Sequence, residues 1–352
     1  MIDDVELLIA GGGLTGLLLG VACGGAGLTV GVVDRQDPAE SIRDDFDGRS
    51  SAIAHGSQRV LDAIGLWPSI AADAEPILEI RVVDDDSSLF LHYDHRELES
   101  HTPLGYIVEN RVLRRVLMER VRSMPNLVLF APFVVDSALS SSLATTASLS
   151  GGGQIRARLI AAAEGQKSTL RGAAGIPTVE WRYAQAGIVT TVQHELAARF
   201  GDFLGTIEPI GPRWAYPLAL LLATSYIAPR LALVGEAAHV IHPIAGQGLN
   251  LGIRDVAVLA ELVIDARRLG LDIGDTPVLH RYQQWRRFDA MALAAVTDGL
   301  NRLFSNSLPP IRLARDVGLA VVQRLRPLKR LLMRDAMGVA GDLPRLVRGE
   351  PL

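Results

Sequence analysis

VELLIAGGGLTGLLLGVACGGAGLTVGVVD, residues Val5 to Asp34, decides the fold. An apolar run ends in a glycine turn, an apolar helical stretch follows, and a second apolar run stops at an acid. That order predicts a strand, a helix and a second strand, the opening unit of a Rossmann-like α/β fold. Gly11, Gly13 and Gly16 carry the G-x-G-x-x-G spacing, with Leu14 and Thr15 opening the helix. Gly11 permits the tight turn, Gly13 lets a pyrophosphate approach the backbone, and Gly16 lets the helix pack closely on the strand. The free N–H groups at the helix start then face the phosphates. Asp34, followed by Arg35, ends the second strand where a carboxylate meets a ribose hydroxyl in such folds; Asp37 is the nearby alternative. The segment predicts a dinucleotide site.

Far along the chain, RLALVGEAAHVIHPIAGQGLNLGIRD, Arg230 to Asp255, supplies a second loop of this kind. LALVG reads as a buried strand, and GEAAH as a turn that carries an acid to its end. A long apolar-periodic helix then opens behind Gly246 and Gly248. Bare N–H groups at that helix start suit an electron-rich ring edge and stabilise the negative charge of a reduced flavin. One glycine loop points to a nucleotide; the second points to a flavin. His239 and His242 raise a metal or acid/base reading. Two histidines three residues apart, with no acid-rich segment behind them, supply too few ligands, so they read as loop-shaping or flavin-edge residues and no metal is expected. Cys23 sits among small residues of the first helix and reads as packing.

With these segments in view, the chain resembles the FAD-dependent aromatic-ring monooxygenases of the para-hydroxybenzoate hydroxylase type, most closely the ubiquinone-biosynthesis hydroxylase branch. The likeness runs along nearly the whole chain. It is carried by the N-terminal glycine loop, DGRSSAIAHGSQRVLDAIGLW from Asp47, GYIVENRVLRRVLMERV from Gly105, AAAEGQKSTLR from Ala161, and the loop from Gly235 to Gly252. By resemblance, Arg49 and Arg111 lie near the ribityl and phosphate chain, with Arg114 and Arg115 the neighbouring helix-face charges. Glu236 meets the ribityl hydroxyls or the pyrophosphate, and Pro243, Gly246, Gly248, Leu249 and Asn250 line the isoalloxazine. The family's Asp-Gly pair stands here as Glu164-Gly165, and its Gly-Asp pair as Gly235-Glu236. Each glutamate keeps the charge and adds one methylene. A third departure follows His194, where several strands that roof the substrate site in relatives have no counterpart.

The resemblance implies that NAD(P)H reduces the FAD and that the reduced flavin with O2 delivers a hydroxyl to an electron-rich phenol ring. The protein's share is to hold the ring, exclude water and polarise the flavin. It supplies no assigned base: Pro243 and Tyr216 are candidates near the reacting face, and Tyr216 and His194 are substrate-side candidates that read more simply as a structural tyrosine and a strand-end histidine. The implied partners are a lipophilic phenolic substrate, O2 and a ubiquinone-biosynthesis complex. The shortened roof leaves a second reading open, a flavin- or quinone-precursor-binding protein of the same family without hydroxylase activity. A third, a flavin oxidoreductase acting on a non-aromatic lipid, accounts less well for GQGLNLGIRD.

Composition agrees. The 352 residues are 49% hydrophobic with a mean hydropathy of +0.24, enough for a large core and more than one domain. A net charge of -4 argues against nucleic acid. A single cysteine excludes an intramolecular disulfide. The early acids Asp3, Asp4 and Glu6 argue against a signal peptide, and WAYPLALLLATSYIAP is too short for a membrane span, so a cytoplasmic protein is expected. From Pro309 a basic amphipathic helix suits either the surface of an anionic inner membrane or a solvated cap on the flavin domain. The expected organisation is a discontinuous FAD-binding domain at 1–75, 100–178 and 226–300. A smaller substrate-side sheet spans 76–99 and 179–225, and 301–352 is a helical tail. Ser137 to Ile160 reads as a hairpin turning at Gly151 to Gly153.

Overall fold

The computed structural model describes residues 2–41, 49–83, 90–189, 192–193, 208–209, 214–243, 246–306 and 308–352. In chain order the strands are β1 (Ile2–Ala10), β2 (Val30–Val33), β3 (Ser50–Ala54), β4 (Ala74–Ile77), β5 (Glu79–Val83), β6 (Phe90–Asp94), β7 (Gly105–Glu109), β8 (Leu127–Phe130) and β9 (Val135–Ser140). They continue as β10 (Thr145–Leu149), β11 (Gln154–Ala162), β12 (Thr178–Val189), β13 (Val192–Gln193), β14 (Glu208–Pro209), β15 (Trp214–Ala223), β16 (Ile227–Ala228), β17 (Leu231–Leu233) and β18 (His239–Val240). The helices are α1 (Leu14–Gly25), α2 (Pro38–Ser41), α3 (His55–Ala63), α4 (Asn110–Ser123), α5 (Thr169–Ala173), α6 (Gly248–Arg268), α7 (Thr276–Phe304), α8 (Pro309–Arg324), α9 (Arg326–Ala336) and α10 (Arg345–Arg348).

The eight-stranded principal sheet follows the path β16-β17-β11-β1-β2-β8, parallel along it except at β16, with β10 and β9 added antiparallel through β11. Its strands are apolar on both faces: Leu7, Leu8 and Ile9 of β1 and Val30 and Val32 of β2 are fully buried. Helices cover a parallel sheet on both sides, so such strands read as continuous apolar runs. α1 makes the crossover from β1 to β2, and α6 packs against α1. β1 therefore has β2 on one side and β11 on the other. The chain leaves it in one direction and returns in the other, which opens a crevice at the carboxyl ends of these strands.

β11 is long enough to serve two neighbours. Its first half pairs antiparallel with β10, and its last three residues pair parallel with β17. The segment expected to be a hairpin is thus a three-stranded meander, β9-β10-β11, turning at Gly151 and Gly152 with φ 92° and 96°.

Among the described residues, 76–99 and 179–225 do not share one sheet. β4 instead joins β3 and β7, β5 and β6 pair with each other, and β12-β15-β18 make a separate sheet. Ile77, Ile80 and Tyr93 pack with Leu98, Leu104, Met333 and Met337 in a small second core, which sets 76–99 against the C-terminal helices. His194 and the shortened roof lie outside the described residues.

The basic segment from Pro309 is two helices, not one. The break falls at Leu325, because Pro327 has no N–H for the preceding turn and its ring disfavours helical backbone before it. Two of the expected face cations also turn inward. Lys329, 1% exposed, pairs with Glu97 at 2.6 Å, and Arg315 donates to the Leu303 carbonyl at 2.8 Å. Among the described residues no helix is long and apolar enough to cross a membrane.

Candidate functional site

The motifs picked out of the sequence converge on one edge of the principal sheet. Gly11 follows β1, Asp34 follows β2, Glu164 lies just past β11 and Gly235 just past β17. Gly11 has φ +107°, and a Cβ there would stand 2.3 Å from the Ala163 carbonyl oxygen. A Cβ on Gly16 would lie 1.9 Å from the Gly11 oxygen, so α1 can start this close to β1 only with glycine. Gly13 differs: nothing described lies within 4 Å of its would-be Cβ. It is also the N-cap of α1, with no side-chain cap and no acid in the first turn. Open space before uncapped N–H groups is what a diphosphate requires. Asp34 is oriented by its own loop, accepting from the Gly12 N–H and, at 2.7 Å, from the Gln36 N–H. Arg35 beside it is exposed.

The second loop locks onto the first. Thr15 of α1 sits against Gly235 and Gly252, whose would-be Cβ atoms approach its side chain to 3.1 and 3.0 Å. Gly165 faces Glu236, its would-be Cβ 3.8 Å from Glu236 Oε2. The Glu164 carboxylate is engaged locally. It accepts from Ser168 Oγ and Thr169 Oγ1 at 2.6 Å and from the Leu170 N–H at 3.1 Å, which holds the start of α5.

Gly246, with φ +61°, turns the chain into α6, whose N-cap Gln247 makes no side-chain cap and whose first turn has no acid. Gly248 again faces open space, with Leu249 next to it half-buried. Asn250 was expected beside the isoalloxazine, but its side chain is committed to protein. It accepts from the Ala54 N–H at 2.8 Å and donates to the carbonyls of Ala52 at 2.7 Å and Gly246 at 3.1 Å. Asn250 therefore staples β3, the strand after Arg49, to the loop before α6.

Arg49 and Tyr216 are brought together from distant parts of the chain, the guanidinium carbon 5.4 Å from the ring centroid. β15 thus faces the start of β3 across the crevice. The three arginines in the first half of α4 separate: Arg111 pairs with Glu109, Arg115 with Asp73 at 3.1 Å, and Arg114 lines a small cleft with Gly12, Asp34 and Gln36. Arg114, read in the sequence as a solvated helix charge, thus lies beside the glycine loop and Asp34. Pro243 is exposed and accepts from the Gly246 N–H at 2.8 Å. His242 stacks edge-on with Tyr183, ring centroids 4.7 Å apart, and burial lowers its basicity against the opposing pull of Asp298. Cys23 is buried, and burial pushes its thiol up to about 12.

One group escaped the sequence reading. Asp255 of α6, 0% exposed, accepts from the Gly235 N–H at 2.9 Å, from His239 Nε2 at 2.6 Å and from Arg286 Nε at 2.7 Å. Arg286 also pairs with Asp289, which in turn holds Arg254. Burial alone would raise the Asp255 carboxyl, but His239 and Arg286 hold it below the usual carboxylate range. An ionised carboxylate only accepts, so His239 Nε2 is the donor. The available signal was an acid one helical turn past Leu251 on an apolar-periodic helix, where burial demands a partner.

These residues fit FAD. The uncapped N–H groups behind Gly13 would hold the diphosphate, Asp34 the ribose, and the open N-terminus of α6 at Gly248 the ring edge. A family model described as FAD binding domain matches residues 4–199 and 205–295. The chain is similar to ubiquinone hydroxylase UbiL of Rhodospirillum rubrum, 42% identical over 402 aligned positions that cover 99% of this chain and 93% of that protein. The alignment exceeds the 352 residues here by at least 50 positions, and the family match breaks between 199 and 205, close to the shortening after His194. The 3-demethoxyubiquinol 3-hydroxylase of Escherichia coli is 31% identical, with 96% of this chain and 99% of that protein covered. In fold the chain is similar to p-nitrophenol 4-monooxygenase PnpA from Pseudomonas putida, with a TM-score of 0.81 at 20% identity over 97% of this chain and 99% of that one. The two glycine loops, the crevice they share and a family match over most of its length lead to one conclusion: this chain belongs to the FAD-binding family that includes the ubiquinone hydroxylases.

Proposed function

We propose that this protein is an FAD-dependent monooxygenase that uses NAD(P)H and O2 to hydroxylate the phenolic ring of a polyprenylated ubiquinone precursor. The observation that carries the reading is the convergence of Gly13, Asp34 and the open N-terminus of α6 on one sheet edge. That edge offers a diphosphate, a ribose and a flavin ring their separate partners. When bound, the FAD supplies the redox and oxygen-transfer chemistry. The chain's own residues bind and orient. Leu14, Thr15 and Gly16 present backbone N–H groups to the diphosphate. Arg49, Arg114 and Glu236 flank the cofactor chain, and Gly246 to Asn250 place positive backbone dipoles at the ring edge that gains charge on reduction.

Tyr216, across the crevice on β15, holds Arg49 by its ring face and borders the space left for the phenol. We assign the FAD-binding unit to 1–75, 100–178 and 226–300, the substrate side to 76–99 and 179–225, and the tail to 301–352. The lipophilic substrate brings the protein to a lipid surface and to a ubiquinone-biosynthesis complex, and the basic tail is the part that meets the lipid.

The test is the visible spectrum of the purified protein, followed by NAD(P)H oxidation with and without a prenylated phenol. Flavin bands with phenol-stimulated oxidation and a hydroxylated product are expected. Bound flavin without turnover on such phenols would instead favour the binding-protein reading that the shortened roof raises. A protein that stays colourless on added FAD would refute the site.

A further inference from the structure

The inner face of α8 and α9 is accounted for: Lys329 on Glu97, Met333 and Met337 in the second core, and Gln323 accepting from the His92 N–H at 2.9 Å. The outer face is not. Leu313, Val317, Val321 and Leu325 follow one another at four-residue spacing and are 66%, 49%, 45% and 50% exposed; Leu331 of α9 is 58% exposed. Residues four apart share a helix face, so this is one continuous apolar ridge. Contiguous apolar ridges of this kind on a soluble surface mark an interaction site.

Charge says what covers it. Between 301 and 340 stand eight Lys or Arg against two Asp, in a chain whose total is -4. The positive charge is therefore segregated to this segment, and the remainder of the molecule is acidic. Arg312, Arg324, Arg326, Arg330 and Arg334 are exposed along the ridge. At the turn between the helices an open cleft is lined by Gln323, Arg326 and Arg330 over the Lys329–Glu97 pair, a setting for a phosphate headgroup. A second copy of this chain would offer the arginines its own basic segment across a symmetric contact, which is unfavourable. An anionic bilayer offers acyl chains to the ridge and phosphates to its flanks.

We propose that the outer face of α8 and α9 seats the protein on an anionic lipid bilayer, the ridge in the acyl boundary and the flanking arginines at the phosphates. This rests on the lipid-surface reading above and specifies its face and lipid charge. The experiment is flotation of the full-length, flavin-loaded protein with phosphatidylcholine vesicles, with and without phosphatidylglycerol. Binding to the phosphatidylglycerol vesicles that weakens with salt is expected. Arg326→Glu with Arg330→Glu should lower the partition coefficient by about thirtyfold or more, since each basic residue near such a surface is worth about a factor of five. Leu313→Asp with Val321→Asp should abolish binding while leaving flavin content unchanged. No binding to either vesicle, equal binding to both, or a lipid-free dimer by light scattering that the Asp variant dissolves would each overturn the proposal. Flotation reads no turnover, so its failure is separate from failure of the hydroxylase reading, which a short-chain phenol tests without lipid.

Discussion

Replacing Asp255 by Asn tests whether the buried acid holds the flavin loop in place. Its carboxylate satisfies three donors at once, the Gly235 N–H, His239 Nε2 and Arg286 Nε. An amide presents one oxygen and one NH2 group, so at least one of those donors then faces another donor. Arg286, 2% exposed, keeps only Asp289, itself partly open to solvent. Removing one partner of a buried charge pair costs about 3–5 kcal/mol because the other is left uncompensated. Against a typical folding stability of about 5–15 kcal/mol this is a large loss. The Gly235 turn should also loosen, releasing Glu236 and the contact with Thr15.

The assay is urea unfolding of the variant and parent, with flavin content read from the visible spectrum after gel filtration. A much lower midpoint and a colourless or pale protein are expected. A variant within about 1 kcal/mol of the parent that retains full flavin would refute the argument, since neutral-pair contributions fall in that range.

The same group has a pH signature. Its carboxyl is held below the ordinary value of about 3.9, so its stabilisation is fully present above that pH and is lost as pH falls through the lower folded value. The stability gap between the parent and Asp255→Asn should therefore be constant near neutral pH and narrow below about pH 4, read by urea unfolding at a series of pH values. Gly13→Val and Gly11→Val separate binding from folding: the first has open space and should fold like the parent yet purify without flavin, whereas the second meets the Ala163 carbonyl at a positive φ and should lower the melting temperature outright. Tyr216→Phe keeps the ring beneath Arg49 and should leave kcat within about twofold, while Tyr216→Ala removes a contact of about 0.5–1 kcal/mol and should raise KM; a large kcat loss in Tyr216→Phe would make its hydroxyl a catalytic group. Asn250→Ala unpairs the Ala54 N–H and two carbonyls and should cost about 2–4 kcal/mol in urea unfolding, with flavin lost as β3 detaches.

Much of the site was legible because its chemistry is backbone chemistry. Glycine spacing, apolar runs and helix starts are local, and the loops at Gly11 to Gly16 and Gly235 to Asn250 follow from neighbouring residues alone. Side-chain roles were less legible. The Asn250 side chain bonds backbone of β3 and the Gly246 loop, Glu164 bonds the start of α5, and Arg114 lines a cleft with Gly12 and Asp34, because which face of a helix or loop meets a neighbour depends on packing. The second core has the same origin: nothing local to Ile77, Ile80 and Tyr93 specifies that they meet Met333 and Met337 far along the chain.

By itself, the sequence determined the Rossmann-like opening, the two glycine loops, the family and a basic C-terminal segment. Only the tertiary structure decided that four strand ends meet on one edge, that Asp255 bonds both His239 and, 31 residues further along the chain, Arg286, and that Arg49 meets Tyr216. The division is physical. Strand, turn and helix preferences act over a few residues, whereas a buried charge or a cation over a ring is specified by segments far apart that share a position only once the core has formed.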